Sequence, residues 1–529
     1  MRVRATHLYP LLLASFPALH LAAGNPGEYT RRDLATVLLA IGFGVLLLSG
    51  LCYGLARLAL RRSHPGLTPM LVAVVVGWCF FYLPVDSRLY RMSGGVLPHW
   101  LLAGLGLAVT AGILAWLLGR QERLDASGRF LSVLATLLVV FSLMTIVVAQ
   151  VRSSHRIARS ALAEELARPL GANPATAGEL RPRPDIYLVL LDMYASSAVL
   201  RERYGFDNRR FDDSLRALGF TVPPDVHSNY NQTRHSLPSL LNFAHMSQVG
   251  EELGSKSTDA SLSYYLLRNN RVARFLQSLG YRFLFFPSSW WPGTHDNPHA
   301  DVRFDAWAGS GLRGALLQSD LRRHLRSLTP LGLLDLGATD FQHPRRTFEG
   351  LKKVAHIPGP TFAFAHVLLP HPPFIVDQDC RPTVRTLPLD SAEAARAYTR
   401  QYLDQLICTN RIVLDLVTTL LRTSPSPPVI ILQGDHGATS LEPLALVPRK
   451  PRSGVEARAE FGAFGAYYLP AGGTRALAGS ITLVNLFRDI LNYYFGLDIP
   501  RQPDSLYYLI GVQYPNRFLR VTPGELEAP

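Results

Sequence analysis

Cysteine is scarce in this chain, with four residues among 529. Cys52 and Cys79 lie inside apolar runs, where we expect ordinary core or lipid-facing side chains. Cys380 and Cys408 are not spaced like the cysteine ligands of a metal site, so the sequence predicts no cysteine-based metal centre. If their part of the chain lies outside the cytoplasm, they form either one disulfide or two unpaired buried thiols.

Acidic residues are fewer than basic ones: 40 Asp and Glu stand against 53 Lys and Arg, which gives a formal net charge of +13. Such a balance is compatible with nucleic-acid binding. However, the sequence contains no recognition helix, zinc-finger spacing or RNA-binding signature, so we expect no nucleic-acid partner. Anionic lipid headgroups or phosphorylated substrates fit the basic charge better.

Apolar runs of membrane-spanning length are confined to the first 151 residues. We predict a transmembrane domain over residues 1–151 with segments at 8–23, 34–60, 67–85, 97–118 and 130–151. The last four are long enough for a hydrocarbon core, which takes about 20 residues per helix. The first is shorter and follows Arg2 and Arg4, so it is either a retained helix, which we favour, or a cleaved signal peptide.

Loop arginines predict the orientation of these segments. Arg2 and Arg4 favour a cytoplasmic N-terminus, and five crossings then place the rest of the chain outside the cytoplasm. A composition rich in Arg and Ala fits a bacterium, so we expect a multi-pass inner (plasma) membrane protein whose soluble part faces the periplasm. Residues 152–183 are predicted to form a connector, with a short amphipathic helix near 160–167 at the membrane interface and a Pro-rich linker after it.

From residue 184 to residue 529, short β-branched and aromatic runs alternate with helical stretches. Several of these runs are continuously apolar, which favours strands buried on both faces of a parallel sheet. Strands that alternate with helices are typical of an α/β sandwich. We therefore predict an α/β sandwich with a mainly parallel central sheet, with strands at 186–191, 283–287, 361–368, 429–433 and 465–469.

Two predicted strands end in residues that bind metals. The first ends at Asp192, and the fourth runs into Gly-Asp435-His436-Gly. Sites in open α/β sheets lie at the carboxyl ends of strands. A lone Asp192 would more often be a helix N-cap, but an adjacent Asp and His flanked by glycines present an oxygen and a nitrogen ligand to one ion. This ligand set suits zinc or manganese.

Hydroxyl groups and histidines supply further candidates. The polar run from Ser228 to Asn242 leads into a predicted helix, where a hydroxyl at the N-terminus favours a bound phosphate or sulfate and plain capping is the alternative. A nearby divalent ion would make such a hydroxyl a nucleophile. His366 and His371 end an apolar strand, which indicates either substrate-anion binding and proton transfer or a packed turn.

In this order, Asp192, a Thr about forty residues later, the His371-Pro-Pro-Phe turn and Gly-Asp-His-Gly resemble the motifs of the alkaline phosphatase/sulfatase superfamily. The five preceding segments resemble its membrane-anchored branch, the phosphoethanolamine transferases and lipoteichoic acid synthases. The resemblance implies an alkaline phosphatase-like fold. It also implies that Asp192, Thr233, Asp435 and His436 hold one divalent metal ion.

The resemblance assigns roles to single residues as well. Thr233 matches the transferase nucleophile, because Thr233-x-x-Ser236-x-Pro238 is similar to their Thr-x-x-Ser-x-Pro run. His371 matches the substrate-side histidine, and we add His366 and Asn229 to the expected substrate-binding group.

Three departures limit the resemblance. Sulfatases carry a (Cys/Ser)-x-Pro-x-Arg box, but here Leu240 stands at the Arg position, which argues against a true sulfatase and leaves Ser236 as second nucleophile candidate. Some transferases have Glu where this chain has Asp192. The transferases' multiple disulfides are missing, and at most Cys380–Cys408 remains.

The sequence thus predicts a membrane-anchored, metal-dependent enzyme. It would move a phosphoethanolamine- or phosphoglycerol-type headgroup from a membrane phospholipid to an envelope glycan or lipid, through a phospho-threonine intermediate. A phosphodiesterase or a sulfuric ester hydrolase of the same superfamily is the alternative, followed by a noncatalytic envelope scaffold. A transporter is excluded, because the five segments show no repeat and no intramembrane ion site.

Overall fold

The structure is a computed structural model of the chain. It describes residues 8–25, 31–59, 64–93, 98–119, 122–171, 183–290, 293–304, 337–383, 392–438, 454–477, 479–510 and 514–522, with the single residues 29, 96, 321, 325, 328, 329 and 525. Residues 172–182, which hold most of the predicted Pro-rich linker, lie outside the described residues.

The chain divides into two compact units. The first comprises Met1–Arg152 with Leu316–Asp335, and the second comprises Ser153–Ala315 with Leu336–Pro529. Two described residues of the predicted catalytic domain, Leu321 and Leu325, are grouped with the N-terminal helices. The physical reason is apolar burial, because Leu321 and Leu325 join a cluster around Ala18 and Val37.

Five helices form most of the first unit: α1 (Tyr9–Gly24), α2 (Arg31–Ala59), α3 (Leu67–Met92), α4 (His99–Gly119) and α5 (Glu122–Arg159). Three stretches are long and apolar enough to cross a membrane, by length and composition: Asp33–Leu58, Leu67–Tyr90 and Arg123–Arg159. Tyr9–Gly24 and Trp100–Trp116 are shorter apolar helices. Helix α4 covers His99–Gly119, and the fourth predicted segment covers 97–118.

The second unit is built around a six-stranded sheet with the order β4-β3-β5-β1-β6-β7. The five strands from β4 to β6 are parallel, and β7 pairs with β6 in the antiparallel direction. The prediction of an α/β fold with a mainly parallel central sheet is confirmed. The strands of the unit are β1 (Ile186–Leu191), β2 (Val226–His227), β3 (Arg282–Phe286), β4 (Val302–Arg303), β5 (Thr361–Val367), β6 (Val429–Gly434), β7 (Gly465–Tyr468), β8 (Ile481–Thr482), β9 (Leu506–Leu509) and β10 (Phe518–Val521).

Helices cover both faces of this sheet. They are α6 (Ala161–Ala167), α7 (Ser197–Tyr204), α8 (Arg209–Ala217), α9 (Thr233–Asn242), α10 (Ser247–Leu253), α11 (Ser261–Arg268), α12 (Arg271–Ser278), α13 (Gly337–Lys353), α14 (Ala392–Thr423), α15 (Gly454–Phe461) and α16 (Leu483–Phe495). Strand β1 shows why two layers are needed. Tyr187, Val189 and Leu191 pack into one apolar cluster, while Ile186, Leu188 and Leu190 pack into another, as side chains that alternate across a central strand do.

Helix α6 lies in the connector, where we predicted an amphipathic helix at the membrane interface. Its apolar residues Leu162, Ala163 and Leu166 are buried in a cluster of the second unit that includes Tyr230 and Val249. Two polar contacts fix the same segment: Arg156 pairs with Asp259 at 2.9 Å, and the Leu162 N–H donates to Glu252 at 2.8 Å. The apolar face of α6 is therefore covered by protein and not available to a bilayer.

Candidate active site

Three parallel strands bring the site residues to one edge of the sheet. Leu191, the last residue of β1, is level with Val367 of β5 and with Gly434 of β6. Asp192 and Asp435, which follow β1 and β6, therefore emerge side by side. His366 is the residue of β5 paired with Leu190, one position before the end of β1, so its imidazole lies at the same edge.

Asp192, His366 and Asp435 form a compact group of metal-binding side chains. One ligand atom from each lies within 4.8 Å of the other two, and Nε2 of His366 is 3.6 Å from Oδ2 of Asp192. The three residues are 3%, 2% and 0% exposed. Asp192 Oδ1, His366 Nε2 and Asp435 Oδ2 are buried without a hydrogen-bond partner. Because unpartnered buried charge costs several kcal/mol, this donor set fits a bound divalent cation.

His436 and Thr233 adjoin this group. His436 Nε2 lies 3.5 Å from Asp435 Oδ2, 3.8 Å from Asp192 Oδ1 and 3.3 Å from Thr233 Oγ1. On its other side, the ring contacts the Gly437 carbonyl through Nδ1 at 2.8 Å, which fits an Nδ1–H donor. The Nε2 lone pair then faces the carboxylates, as metal binding by this histidine requires. The structure thus brings all four predicted ligands together and adds His366 to them.

The electrostatics of the group reflect two carboxylates held close together. Burial raises the pKa of Asp435, and the neighbouring Asp192 carboxylate raises it further. Burial also opposes ionisation of Asp192, but His371, His366 and His436 around it bring its pKa below the ordinary value. Burial disfavours the charged form of His436, yet the carboxylates of Asp435 and Asp192 raise its pKa. Like charges at this spacing repel, so a cation between them would be stabilising.

The Gly-Asp-His-Gly turn depends on its two glycines. A Cβ at Gly434 would lie 2.4 Å from the Tyr194 carbonyl oxygen, and one at Gly437 would lie 2.0 Å from the Ala459 carbonyl oxygen. Only a residue without a side chain allows these close approaches. The turn then presents Asp435 so that its Oδ1 accepts from the backbone N–H groups of Met193 and His436, at 3.0 and 2.9 Å. Its second oxygen, Oδ2, is left facing the group.

Thr233 and Ser236, our two nucleophile candidates, occupy different positions. Thr233 is the first residue of α9 and is partly exposed, so its hydroxyl lies at the positive end of the helix. Ser236 is fully buried, and its hydroxyl contacts Ser228 Oγ at 2.8 Å and donates to the Tyr230 and Gln232 carbonyls. None of these partners belongs to the carboxylate group. Leu240 is buried in the core between α9 and the sheet, which explains an apolar residue there.

Asn229 does not have the place we predicted for it. Its side chain is fully buried, its amide donates to the Ser505 carbonyl at 3.0 Å, and its oxygen accepts from the Val484 N–H at 2.8 Å. Both polar ends are therefore used to hold backbone segments together. Asn229 therefore stabilises the fold, and its side chain is not available to bind a substrate.

His371 lies at the edge of the group on a turn that other residues hold in place. Its backbone N–H donates to the Asp192 carbonyl at 3.1 Å, and its half-buried ring contacts the Pro372 carbonyl through Nδ1. Gln405 of α14 donates to the Pro370 and His371 carbonyls at 3.1 and 2.9 Å, and accepts from the Ile375 N–H at 2.8 Å. The sequence does not predict a role for Gln405, because a single Gln in a long helical stretch matches no motif.

A disulfide joins Cys380, which follows this turn, to Cys408 of α14. Cys408 lies one turn of α14 after Gln405, so the covalent bond and the Gln405 hydrogen bonds link the same two segments. The His371 turn is thus attached to α14 at two points.

A loop that the sequence did not single out surrounds His366. Thr294 Oγ1 lies 2.7 Å from His366 Nδ1 and 2.7 Å from Ser288 Oγ. The Ser288 N–H donates to the Thr294 carbonyl at 2.8 Å, which closes the loop on itself. The ring of Trp290 packs edge-on against His366 at 5.6 Å between centroids. Thr294 therefore determines which way the His366 ring faces.

We expect Thr294→Val to weaken zinc binding by about 10–100-fold, the usual cost of losing a hydrogen-bond partner behind a ligand. The reason is that Nε2 can face a cation only if Nδ1 carries the proton, and Thr294 accepts that hydrogen bond. Isothermal titration with Zn²⁺ measures the affinity, and ¹⁵N NMR of the imidazole reports its tautomer. Thr294→Ser, which keeps the hydroxyl, is the matched control. Wild-type affinity and an unchanged tautomer in Thr294→Val would refute this role.

This chain is similar to a known protein family in sequence and to known proteins in structure. The sulfatase family model matches residues 195–487, more than half of the chain. No curated protein sequence matches the chain. The C-terminal periplasmic domain of EcEptC from Escherichia coli is similar at 14% identity, over 68% of this chain and 97% of that one, with a TM-score of 0.44. The corresponding domain of the phosphoethanolamine transferase EptC from Campylobacter jejuni is similar at 13% identity, over 61% and 92%, with a TM-score of 0.38.

A mainly parallel sheet that carries paired carboxylates, histidines and a hydroxyl at its carboxyl edge defines a metal-dependent enzyme of the alkaline phosphatase type. With more than half of its length matched by the family model, the chain belongs to the sulfatase family. The predicted membership of the alkaline phosphatase/sulfatase superfamily is confirmed. Members of this family bind a divalent metal, in agreement with the donor set around Asp192.

Proposed function

We propose that this protein is a membrane-anchored phosphotransferase that moves a phospho-headgroup from a phospholipid to an envelope acceptor, through a phospho-threonine at Thr233. The donor headgroup is of the phosphoethanolamine or phosphoglycerol type, and the acceptor is an envelope glycan or lipid. The apolar helices of the first unit support an anchor in the bacterial inner membrane, with the catalytic unit on the periplasmic side.

One observation carries the proposal: the Thr233 hydroxyl lies 3.3 Å from His436 Nε2 and begins a helix. Its position combines partial exposure, a positive helix end and adjacent carboxylates, which is what a phosphoryl-accepting hydroxyl needs. Ser236 meets none of these conditions, since it is buried and hydrogen-bonded to Ser228 and to the Tyr230 and Gln232 carbonyls. A sulfatase that uses Ser236 is therefore the less favoured alternative.

Asp192, Asp435, His436 and Thr233 would hold one divalent ion, zinc or manganese, and His366 is available as a further ligand. The mixture of carboxylate and imidazole donors suits these two ions. When bound, such an ion would lower the pKa of the Thr233 hydroxyl and offset charge on the nonbridging phosphate oxygens.

In the first step, the deprotonated Thr233 oxygen forms a bond to phosphorus, and the bond from phosphorus to the lipid glycerol oxygen breaks. The diacylglycerol oxygen leaves with a proton, for which His371 is our candidate donor. In the second step, an acceptor oxygen forms a bond to phosphorus and its proton passes to His371, while the bond from phosphorus to the Thr233 oxygen breaks and restores the deprotonated Thr233 side chain. His371 lies at the edge of the group, where it can reach the leaving oxygen or bind the phosphate.

The experiment that tests this function is the mass of the peptide that contains Thr233 after incubation of the full chain with phospholipid vesicles. We expect a covalent phospho-headgroup on Thr233, with phosphatidylethanolamine and phosphatidylglycerol vesicles compared to identify the headgroup. Ser236→Ala is the matched control and should still form the adduct. An adduct on Ser236, or headgroup turnover with no adduct in a rapidly quenched sample, would contradict the proposal.

A further inference from the structure

An open groove of about 610 Å³ lies within the first unit, between α3, α4 and α5. Its walls are mostly apolar, and a single charged side chain, Arg123, belongs to the lining among the described residues: Met70, Ile113, Trp116, Arg123, Ala126, Ser127, Phe130 and Leu131. The volume is within the range of about 300–1,000 Å³ that is usual for small-molecule sites. Nothing in the chemistry of the catalytic unit requires this groove.

The contribution of α5 to the groove follows a helical stripe. Arg123, Ala126, Ser127, Phe130 and Leu131 are spaced as i, i+3, i+4, i+7 and i+8 and so share one face of the helix. From Arg123 to Leu131 the stripe rises by about 12 Å. The groove is therefore elongated along the helix axis, with its charged residue at one end and, apart from Ser127, apolar residues along the rest. This arrangement fits an acyl chain below a headgroup.

Arg123 is positioned to bind an anion at this end. It lies in the first turn of α5, with its guanidinium 5.0 Å from the centroid of the Trp116 ring. Within the part of the chain that the structure describes, Arg123 forms no ion pair, and the nearby Asp125 lies 3.9 Å from His64. An arginine beside a tryptophan at the end of an apolar helix is typical of the headgroup level of a bilayer.

The sequence around this end of the unit is basic. The loop between α2 and α3 contains Arg61 and Arg62, and Arg57 precedes it, while Arg120 lies between α4 and α5. Glu122 and Asp125 are the opposing acidic residues in the second loop and the start of α5. The net positive charge favours an anionic headgroup over a zwitterionic one.

We propose that this groove is a binding site for one anionic phospholipid, with an acyl chain along the α5 stripe and its phosphate on Arg123. The proposal rests on the membrane placement suggested above but is independent of the chemistry at Thr233. The lipid would be a structural lipid. It would lie at the end of the helices where the α2–α3 and α4–α5 loops are located.

Native mass spectrometry of the full chain, released from nanodiscs of equal phosphatidylglycerol and phosphatidylcholine, tests the site. We expect one phosphatidylglycerol to remain bound to the wild type, and its occupancy to fall by at least about tenfold in Arg123→Ala, as loss of one charged contact predicts. Arg129→Ala is the matched control, because Arg129 is an exposed arginine of α5 outside the groove lining. Arg123→Lys should retain much of the occupancy.

Ile113→Trp provides a second probe that leaves the charge unchanged. Its larger side chain should fill the groove and displace the lipid, while Arg129→Ala leaves the occupancy at the wild-type level. Equal retention of the two lipids, or equal losses in Arg123→Ala and Arg129→Ala, would overturn the site. A chain that does not enter nanodiscs would overturn the membrane placement as well, whereas failure of the Thr233 adduct alone would leave the lipid site standing.

Discussion

Thr233→Ala is expected to lower headgroup transfer by at least about 10³-fold, since removal of a nucleophile leaves only binding and electrostatic stabilisation. Phospholipid binding should change less than the rate, because the proposed metal ligands Asp192, Asp435 and His436 and the proposed phosphate contact His371 remain. The measurement is release of diacylglycerol from phosphatidylethanolamine and phosphatidylglycerol vesicles by the full chain, together with the dissociation constant for Zn²⁺. Thr233→Ser keeps a hydroxyl at the helix N-terminus and should retain a measurable part of the rate.

Ser236→Ala is the matched control for this prediction. It removes a hydroxyl three residues away on the same helix, and its expected effect is on stability. The buried Ser236 hydroxyl contacts Ser228 and the Tyr230 carbonyl, so its loss should reduce the free energy of unfolding by about 1–3 kcal/mol. Full transfer activity in Thr233→Ala combined with inactivity in a folded Ser236→Ala would reverse our assignment of the nucleophile.

Much of the fold could be predicted because its central strands are continuous apolar runs. Strands β1 and β6 are buried at every position, and all of β1 and the first four residues of β6 are uninterrupted apolar runs in the sequence. That same feature located Asp192 and Asp435. Asp192 and Asp435 lie close together, however, only because β1 and β6 are neighbours in the strand order β5-β1-β6. No local sequence pattern predicts the order of strands in a sheet.

The position of His366 beside Asp192 could not be predicted from the local sequence. The sequence predicts His366 as a substrate-binding residue and not as a metal ligand. The register of β5 against β1 puts it opposite Leu190 and beside Asp192, so a strand-interior residue becomes part of the group. Asn229 shows the reverse case, because its partners Val484 and Ser505 come from more than 250 residues away. A polar residue in a polar run looks the same whether its partner is substrate or backbone.

Asp435→Asn is expected to weaken Zn²⁺ binding by more than about 100-fold, since even loss of an indirect partner costs about 10–100-fold. The substitution should remove the metal ligand and keep the hydrogen bonds that hold the turn. The amide oxygen of Asn can still accept from the Met193 and His436 N–H groups, as Asp435 Oδ1 does. The amide NH₂ then replaces Oδ2, the oxygen that has no hydrogen-bond partner. The fold should persist while the ligand is lost.

Thermal unfolding with and without Zn²⁺ separates this effect from general damage. The metal-free variant should be at least as stable as the metal-free wild type, because one of two repelling carboxylates is gone. Added Zn²⁺ should stabilise the wild type by about 2.7 kcal/mol at one hundred times its dissociation constant, and Asp435→Asn by much less. Asp212→Asn, a change at a buried carboxylate of α8 with an unpartnered oxygen outside this group, should keep the wild-type response. If Zn²⁺ stabilised Asp435→Asn as much as the wild type, Asp435 would not be a ligand, and the metal would have to be held by other residues.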